Sequence, residues 1–433
     1  MNTSRPRQDP LFSPQADVAG LLRHLDACVS PSHAVDYCGT QLRLAGFQEV
    51  SFSKLGSALP NCGFIAESGL LLAWDNSSKN FSHFRIVGAH TDSPCLKVKP
   101  LPDAGNFGWR QLGVEIYGGI LSNSWLDRDL GVAGRVVLSD HSVALVRVDE
   151  AVARIPQLAI HLDRDVNERG LILDKQIHLM PIWGLGDSTE GYFKEWLSSK
   201  IGIGSSQIVS WDLGLYDLTP ASLLGSDSSL IASGRLDNQV SCWAAIEGLI
   251  AAKTRGDNST NCSVVALFDH EEVGSQSTHG AAGPRLQWLL ESLSAANKKS
   301  FHEVLAASHC ISADNAHAVH PNYPERHDPQ HRPLPNLGPV LKSNANQRFA
   351  TSPESAAVFI EACTAADVPY QYFVSKNTMP CGSTIGPITS TQLGIPTVDV
   401  GVAQLSMHSA RELCGALDPL LFTQTLAHYF VAE

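Results

Sequence analysis

The sequence predicts an α/β protein, a mixed and mostly parallel sheet flanked by helices, with an inserted β-rich domain. Three observations carry this. After residue 216, strand-length apolar runs alternate with helical patterns in the order NQVSCWAAIEGLIAAKTRG, SVVALFD, GPRLQWLLESLSAA, HCISAD and SPESAAVFIEACTAADVP. That order needs crossovers, hence a parallel or mixed sheet. The same texture precedes residue 97, and between the two halves the chain breaks into short alternating runs cut by Gly, Pro and Asp. The expected division is 1–97 and 217–433 for one α/β domain in two parts, with 98–216 as a β-rich insert. A stretch of about 120 residues is far too long for a loop inside a domain.

In chain order, SPSHAVDYCGTQLRLAGFQEVSF opens as a helix capped by Ser30 or Ser32, with Val35, Cys38 and Leu42 on one face and Gly46 past its end. QEVSFS reads as a strand, and GLLLAWD and FRIVGAH as two more, the last running into HTDSP. Within the insert, GVEIYGGI, GRVVLSD, SVALVRVDE, PQLAIHLDRD and QIHLMPIWG read as strands. DSTEGYFKEWLSSKIG reads as a short helix behind a capping box of Asp187 and Glu190. Further on, NQVSCWAAIEGLIAAKTRG reads as an amphipathic helix, SVVALFD as a buried strand and HCISAD as another. PNYPERHDPQHRPLPNLGP is a Pro-rich and His-rich loop.

Composition excludes several classes. With 43% hydrophobic and 17% charged residues over 433 positions, the chain is globular and has room for more than one domain. A net charge of -12 with no Lys or Arg run argues against nucleic acid. MNTSRPRQDPLFSPQ lacks the apolar core of a signal peptide and no run of eighteen apolar residues occurs, so a cytoplasmic location away from membranes is expected. Ten scattered cysteines without a CxxC pair read as reduced, mostly buried thiols. GLGDSTEG and GIGSS lack the GxGxxG spacing of a nucleotide-binding turn.

The chemistry gathers where strands end, since loops converge there over a crevice. FRIVGA runs into His90 and Asp92, SVVALF into Asp269, His270, Glu271 and Glu272, HCISA into Asp314, and TVDVGV leads on to Met407 and His408. Asp237 in RLDNQ is a fifth ligand candidate. Taken alone, Asp237 reads as a helix N-cap, Asp314 as an Asx turn, His408 as a core histidine and the paired glutamates as a solvated face. Together, two His, two Asp and a Glu form a mixed N and O set suited to zinc, with manganese or cobalt possible at a looser site. Five ligands serve two ions only if one carboxylate bridges, and a further carboxylate must then carry the proton of the shared water. Adjacent Glu271 and Glu272 would divide ligation and proton transfer between them, and Asp92 would hold the second ring nitrogen of His90.

GAHTDSP, SWLDRDLGVAGRV, RIPQLAIHLDRDVNE, GRLDNQVSC, FDHEEVGSQSTHGA, PCGSTIGPI, VDVGVAQLSMHSARE and the long segment from SADNAHAVHP to SNANQRFA together resemble the aspartyl aminopeptidase family of dinuclear zinc peptidases. The motifs fall in the family's order over nearly the whole chain, and a bacterial member is expected. The resemblance implies a zinc-peptidase type of fold. It implies His90, Asp237, Glu272, Asp314 and His408 as ligands of two zinc ions, with Asp237 bridging, Glu271 as general base and Asp92 as outer partner. His317, Lys342 and Phe349 align with substrate contacts, Phe349 standing where many members carry Tyr. His161 aligns with a histidine that reaches a neighbouring subunit's active site. The family assembles as a homododecamer of dimers made through the insert.

The expected function is therefore a metalloaminopeptidase that removes one N-terminal residue, preferably Asp or Glu, from peptides, with Lys342 meeting the acidic side chain. The rivals are a dinuclear zinc deacylase of N-acyl amino acids, which would not need a free amine, and an inactive relative kept as an oligomeric binding scaffold.

Overall fold

SVVALF is apolar on both alternating faces, and the strand Asn261–Phe268 is buried at every residue. Such a strand has no solvent face and belongs inside a sheet covered on both sides. The computed structural model, which describes residues 17–56, 58–78, 80–254 and 260–432, places it within a nine-stranded sheet. The spatial order is Gln48–Glu49, Cys62–Glu67, Leu70–Asp75, Asn261–Phe268, His83–His90, His309–Ala313, Thr397–Gly401, Val340–Ser343 and Gln371–Val374. Four neighbours, Asn261–Phe268, His83–His90, His309–Ala313 and Thr397–Gly401, run parallel to one another. Antiparallel pairs flank that block on both sides. The sheet is mixed and mostly parallel, as expected.

Helices cover both faces. Leu236–Lys253 lies on one, beside Asp418–Val431 and the two N-terminal helices Val18–Ala27 and Pro31–Leu44. The second of these is capped at Ser30, whose hydroxyl accepts from the His33 N–H at 3.4 Å, and Gly46 at φ +83 follows its end. Leu236–Lys253 departs from the expected amphipathic pattern, because every residue from Leu236 to Ala252 is buried. Being packed against the sheet, Asp418–Val431 and the N-terminal pair leaves it no wet side. Arg255 and Gly256 at the end of that expected helix, and the basic N-terminal stretch, lie outside the described residues.

A second, six-stranded sheet is antiparallel throughout and runs Val143–Ala153, Leu130–Leu138, Ile208–Asp217, Cys95–Asn106, Trp109–Tyr117, Ile182–Leu185. It packs around its own apolar cluster, including Leu96, Leu112, Val132, Val146, Phe193 and Leu213. PQLAIHLDRD forms no strand: its one regular piece is the turn Ile160–Leu162, and Leu158, Ile160 and Leu162 stay exposed, with no strand paired to them among the described residues. Tyr192–Ile201 is the expected short helix, but Asp187 and Glu190 do not cap it. Asp103 does so from a distant strand, accepting from the N–H groups of Gly191 at 2.8 Å and Phe193 at 2.9 Å. QEVSFS is a two-residue strand followed by a single tight turn. A third sheet joins Ser222–Leu224, Leu230–Ser233, Glu412–Gly415, Ala403–Leu405 and Ala316–His317. All ten cysteines are free thiols, seven of them buried. Among the described residues no helix is long and apolar enough to cross a membrane.

Glu247 is an oddity of the buried helix. It is 4% exposed and one carboxylate oxygen has no hydrogen-bond partner. Burial, helped by the charge of Asp17, pushes its carboxyl up to about 7. A raised acid pKa means that folding costs nothing below the unfolded value and a penalty grows as pH rises through the folded one. Glu247→Gln is expected to stabilise the protein by about 2–3 kcal/mol at pH 8, the gain shrinking toward pH 5. Thermal unfolding of both proteins across that range checks it, and a gain independent of pH would contradict it.

Candidate metal centre

The four parallel strands end at the same edge in close register, with Phe268 beside His90, Ser312 beside Gly88 and Ala313 beside Val400. Their next residues are therefore forced together. A single tight turn, Glu271–Val273, follows Phe268 and is bracketed by left-handed backbone at His270 (φ +64) and Gly274 (φ +99). Asp314 directly follows its strand, and His408 arrives from the loop between two strands of the third sheet. Asp237 comes from outside the nine-stranded sheet, in the irregular first turn of Leu236–Lys253 after the strand Leu230–Ser233.

The side chains converge as two groups that share one member. Ligand atoms of His90, Asp237 and Asp314 lie within 4.8 Å of one another, as do those of Asp237, Glu272 and His408. His90 Nε2 is 3.4 Å from Asp237 Oδ1 and 3.6 Å from Asp314 Oδ1. His408 Nε2 is 3.7 Å from Asp237 Oδ2 and 3.3 Å from Glu272 Oε2. Glu271 forms a third such group with His90 and Glu272. The expected ligands thus meet, and Asp237 presents one oxygen to each histidine. It does not act as a helix cap, since Oδ1 has no hydrogen-bond partner.

The histidine tautomers decide what the cluster can hold. His90 Nδ1 lies 3.0 Å from the backbone carbonyl of Asp92, and His408 Nδ1 lies 3.0 Å from that of Gly119. A carbonyl only accepts, so each Nδ1 carries the proton and a neutral ring turns its Nε2 lone pair toward carboxylates. Lone pairs facing carboxylates repel unless a cation stands between them. Asp237 Oδ1 and Glu272 Oε1 are also buried without a partner, which is costly for a charged oxygen. Burial first, then the charge of Asp237, drives the Glu272 carboxyl well above its usual range. Burial pushes Glu271 up to about 8, opposed by His90 and reinforced by Asp314 and Asp237. The residues fit zinc, with mixed N and O donors and second ring nitrogens already tied.

The family described as Aminopeptidase I zinc metalloprotease (M18) matches residues 24–430. The chain belongs to the M18 aminopeptidases. A "Probable M18 family aminopeptidase 2" of Streptomyces coelicolor is 49% identical over 415 residues, covering 94% of this chain and 96% of that one. Among solved structures, that of the Ape4 and Nbr1 complex superposes with a TM-score of 0.92 at 34% identity, over 96% of this chain and 85% of the other. The Saccharomyces cerevisiae mApe1 dodecamer gives 0.83 at 27% identity, over 95% and 96% of the two chains. This M18 aminopeptidase is thus a zinc metalloprotease, and its relatives include bacterial enzymes.

Around the ligands lies a layer of fixed polar groups. Asp92 is wholly buried, and its carboxylate accepts from the N–H groups of Glu271 and Glu272, each at 3.1 Å. Burial would raise the Asp92 carboxyl, but His90 and the hydrogen bonds to it win and hold it low. Its oxygen stands 3.4 Å from His90 Nδ1, so its own backbone carbonyl is the nearer partner of that ring. Lys342 is 2% exposed, with Nζ 3.2 Å from Asp314 Oδ2 and 3.3 Å from the Asn315 carbonyl. Against the cost of burial, Lys342 and His90 keep the Asp314 carboxyl far below its usual range.

Glu412 went unassigned in the sequence, although it stands four residues after His408 in MHSARE. It accepts from the backbone N–H of Asp237 at 3.0 Å and from that of His408 at 2.7 Å, joining two candidate ligands from behind. An acid at i+4 from a suspected ligand was the available signal.

The centre opens into a cleft of about 670 Å³, a size suited to a small ligand. Glu271, His317, Lys342 and Phe349 line it, with Phe349 packed edge-on against Phe373. His161 does not line it: it sits on the exposed turn Ile160–Leu162. Asp269 and His270 stay behind the turn, the His270 N–H and ring bonded to Asp269 and Ser277. If the cluster binds zinc, adding the ion to chelator-stripped protein is expected to raise Tm by several degrees, since about 2.7 kcal/mol accrues at a hundredfold excess over Kd. A Tm unmoved by zinc in a scanning calorimeter would contradict the site.

Proposed function

We propose that this M18 aminopeptidase releases one N-terminal residue, preferably Asp or Glu, from peptides at a centre of two zinc ions. His90, Asp237 and Asp314 would hold one ion and Asp237, Glu272 and His408 the other, with manganese or cobalt as a possible occupant of one position. The observation that carries this is the pair of three-residue groups sharing Asp237, complete without Glu271. When bound, the ions would polarise the scissile carbonyl and lower the pKa of a shared water. Glu271, outside both groups yet within reach of them, takes the proton of that water on its carboxylate and passes it to the leaving amine. Asp92 holds the Glu271 and Glu272 backbone in place while this happens.

Preference for an acidic residue is assigned to Lys342. Two of its three N–H donors go to Asp314 and Asn315, which leaves one for a substrate carboxylate at the cleft wall. His317 and Phe349 shape the same wall. Glu271→Gln is expected to keep its zinc content and lose kcat by about a thousandfold or more, read by metal analysis and steady-state kinetics. On Asp, Glu, Leu and Lys p-nitroanilides, kcat/KM should favour the acidic pair, and Lys342→Ala should erase that preference. Equal rates on Asp and Leu would refute it. An N-acetylated substrate should not be turned over, which separates the enzyme from a deacylase.

For assembly, we propose that residues 98–216 act as an inserted unit through which a cytoplasmic homododecamer is built from dimers; the similar Saccharomyces cerevisiae mApe1 is a dodecamer. The support within the chain is the exposed apolar run Leu158, Ile160 and Leu162 around His161. Covered by a second copy, it would bring His161 to that copy's cleft. Light scattering should give a mass near twelve chains, and His161→Ala should lower kcat without changing that mass. A monomeric mass would end this reading.

A further inference from the structure

Tyr117 ends the strand Trp109–Tyr117 of the six-stranded sheet, and the chain leaving it crosses the outer side of the metal centre. Its hydroxyl donates to Asp92 Oδ2 at 2.6 Å, the same carboxylate that accepts from the Glu271 and Glu272 N–H groups and stands 3.4 Å from His90 Nδ1. Two residues on, the Gly119 carbonyl accepts from His408 Nδ1 at 3.0 Å. The Leu121 N–H then donates to the His408 carbonyl at 2.9 Å, and Ser124 Oγ accepts from the Ala410 N–H at 2.9 Å. The approach is tight. Gly118 lies at φ +71, where an added Cβ would come 3.1 Å from Glu272 Cβ, and a Cβ on Gly119 would come 3.3 Å from His408 Nδ1.

We propose that residues 117–124 are a strap that positions both histidine ligands, with Tyr117 as its positioning residue: through Asp92 the phenol orients His90 and the turn bearing Glu271 and Glu272. The proposal rests on the metal assignment made above. The Asp92 carboxylate is buried and its oxygens serve several donors at once, so its orientation is set by the whole set of hydrogen bonds. Removing the one donor that comes from another sheet frees the carboxylate to rotate, and both glutamate N–H groups and the histidine follow it. Outer partners of this kind typically contribute 10- to 100-fold, on the order of one or two decades, to metal affinity.

Tyr117→Phe deletes one oxygen and keeps the ring that packs beside Lys97 and His270. In the full-length protein, the expected result is a wild-type mass, a zinc-stripped Tm close to that of the wild type, zinc affinity weaker by about 10- to 100-fold in competition with a chromogenic chelator, and kcat lowered about tenfold with KM within about twofold. In an Asp92→Asn background, Tyr117→Phe should have no further effect, because the phenol acts through that carboxylate. Gly119→Ala leaves the phenol in place and is expected to weaken zinc through His408. Wild-type zinc affinity in both Tyr117→Phe and Gly119→Ala overturns the proposal, as do fully additive losses with Asp92→Asn. A wild-type chain that binds no zinc overturns the proposal together with the metal assignment. Full turnover by Glu271→Gln removes only the role of Glu271, and the zinc measurements still decide the strap.

Discussion

Asp237 lies between two imidazoles that offer it lone pairs, with Glu272, Asp314 and Glu271 crowded around the same few ångströms. Such an arrangement is stable only around positive charge, since each buried carboxylate costs several kcal/mol when unpaired. The rest of the local structure follows from that constraint. Each Nδ1 must be tied to a carbonyl so that each Nε2 is turned toward the shared carboxylates. Lys342 must be spent on the outer oxygen of Asp314. Glu412 must sit behind the backbone of Asp237 and His408, where two N–H groups satisfy it, and burial with the nearby charge of Asp237 still pushes its carboxyl up to about 8.

Parallel strands solve the assembly problem that this charge creates. Four adjacent strands of one direction deliver their last residues to one edge, and their buried apolar bodies keep that edge fixed. They supply His90, Asp314 and the glutamate pair. That edge leaves one task unmet, to face both histidines with a single carboxylate. Asp237 does so from a helix that the third sheet launches, and Glu412 on that sheet locks the launch point to His408.

The strands and their polar ends were legible in the sequence because a strand buried on both faces must be continuously apolar, so FDHEE after SVVAL or HTD after FRIVGA stands out. Roles that depend on distance along the chain were not legible. Asp103 caps a helix whose own Asp187 and Glu190 look better placed, and only the paired strands bring it there. PQLAIHLDRD has the composition of a strand and no neighbour to pair with. Lys342 reads as a free cation for substrate and is largely engaged by Asp314. Tyr117 carries no local mark, since GVEIYGGI is an ordinary strand pattern, and the one mark of Glu412 is its place four residues after His408.

The contacts behind the ligands come from three sheets. His90 and the Glu271 turn are extensions of the nine-stranded sheet, Glu412 and the loop bearing His408 belong to the five-stranded one, and Gly119 follows the six-stranded one. A ligand set built on one sheet would exist as soon as that sheet formed. This one is complete only when all three are docked, because His408 has no fixed tautomer until Gly119 reaches it. A metal held by this set would then stabilise the docking of the three sheets by its own binding free energy.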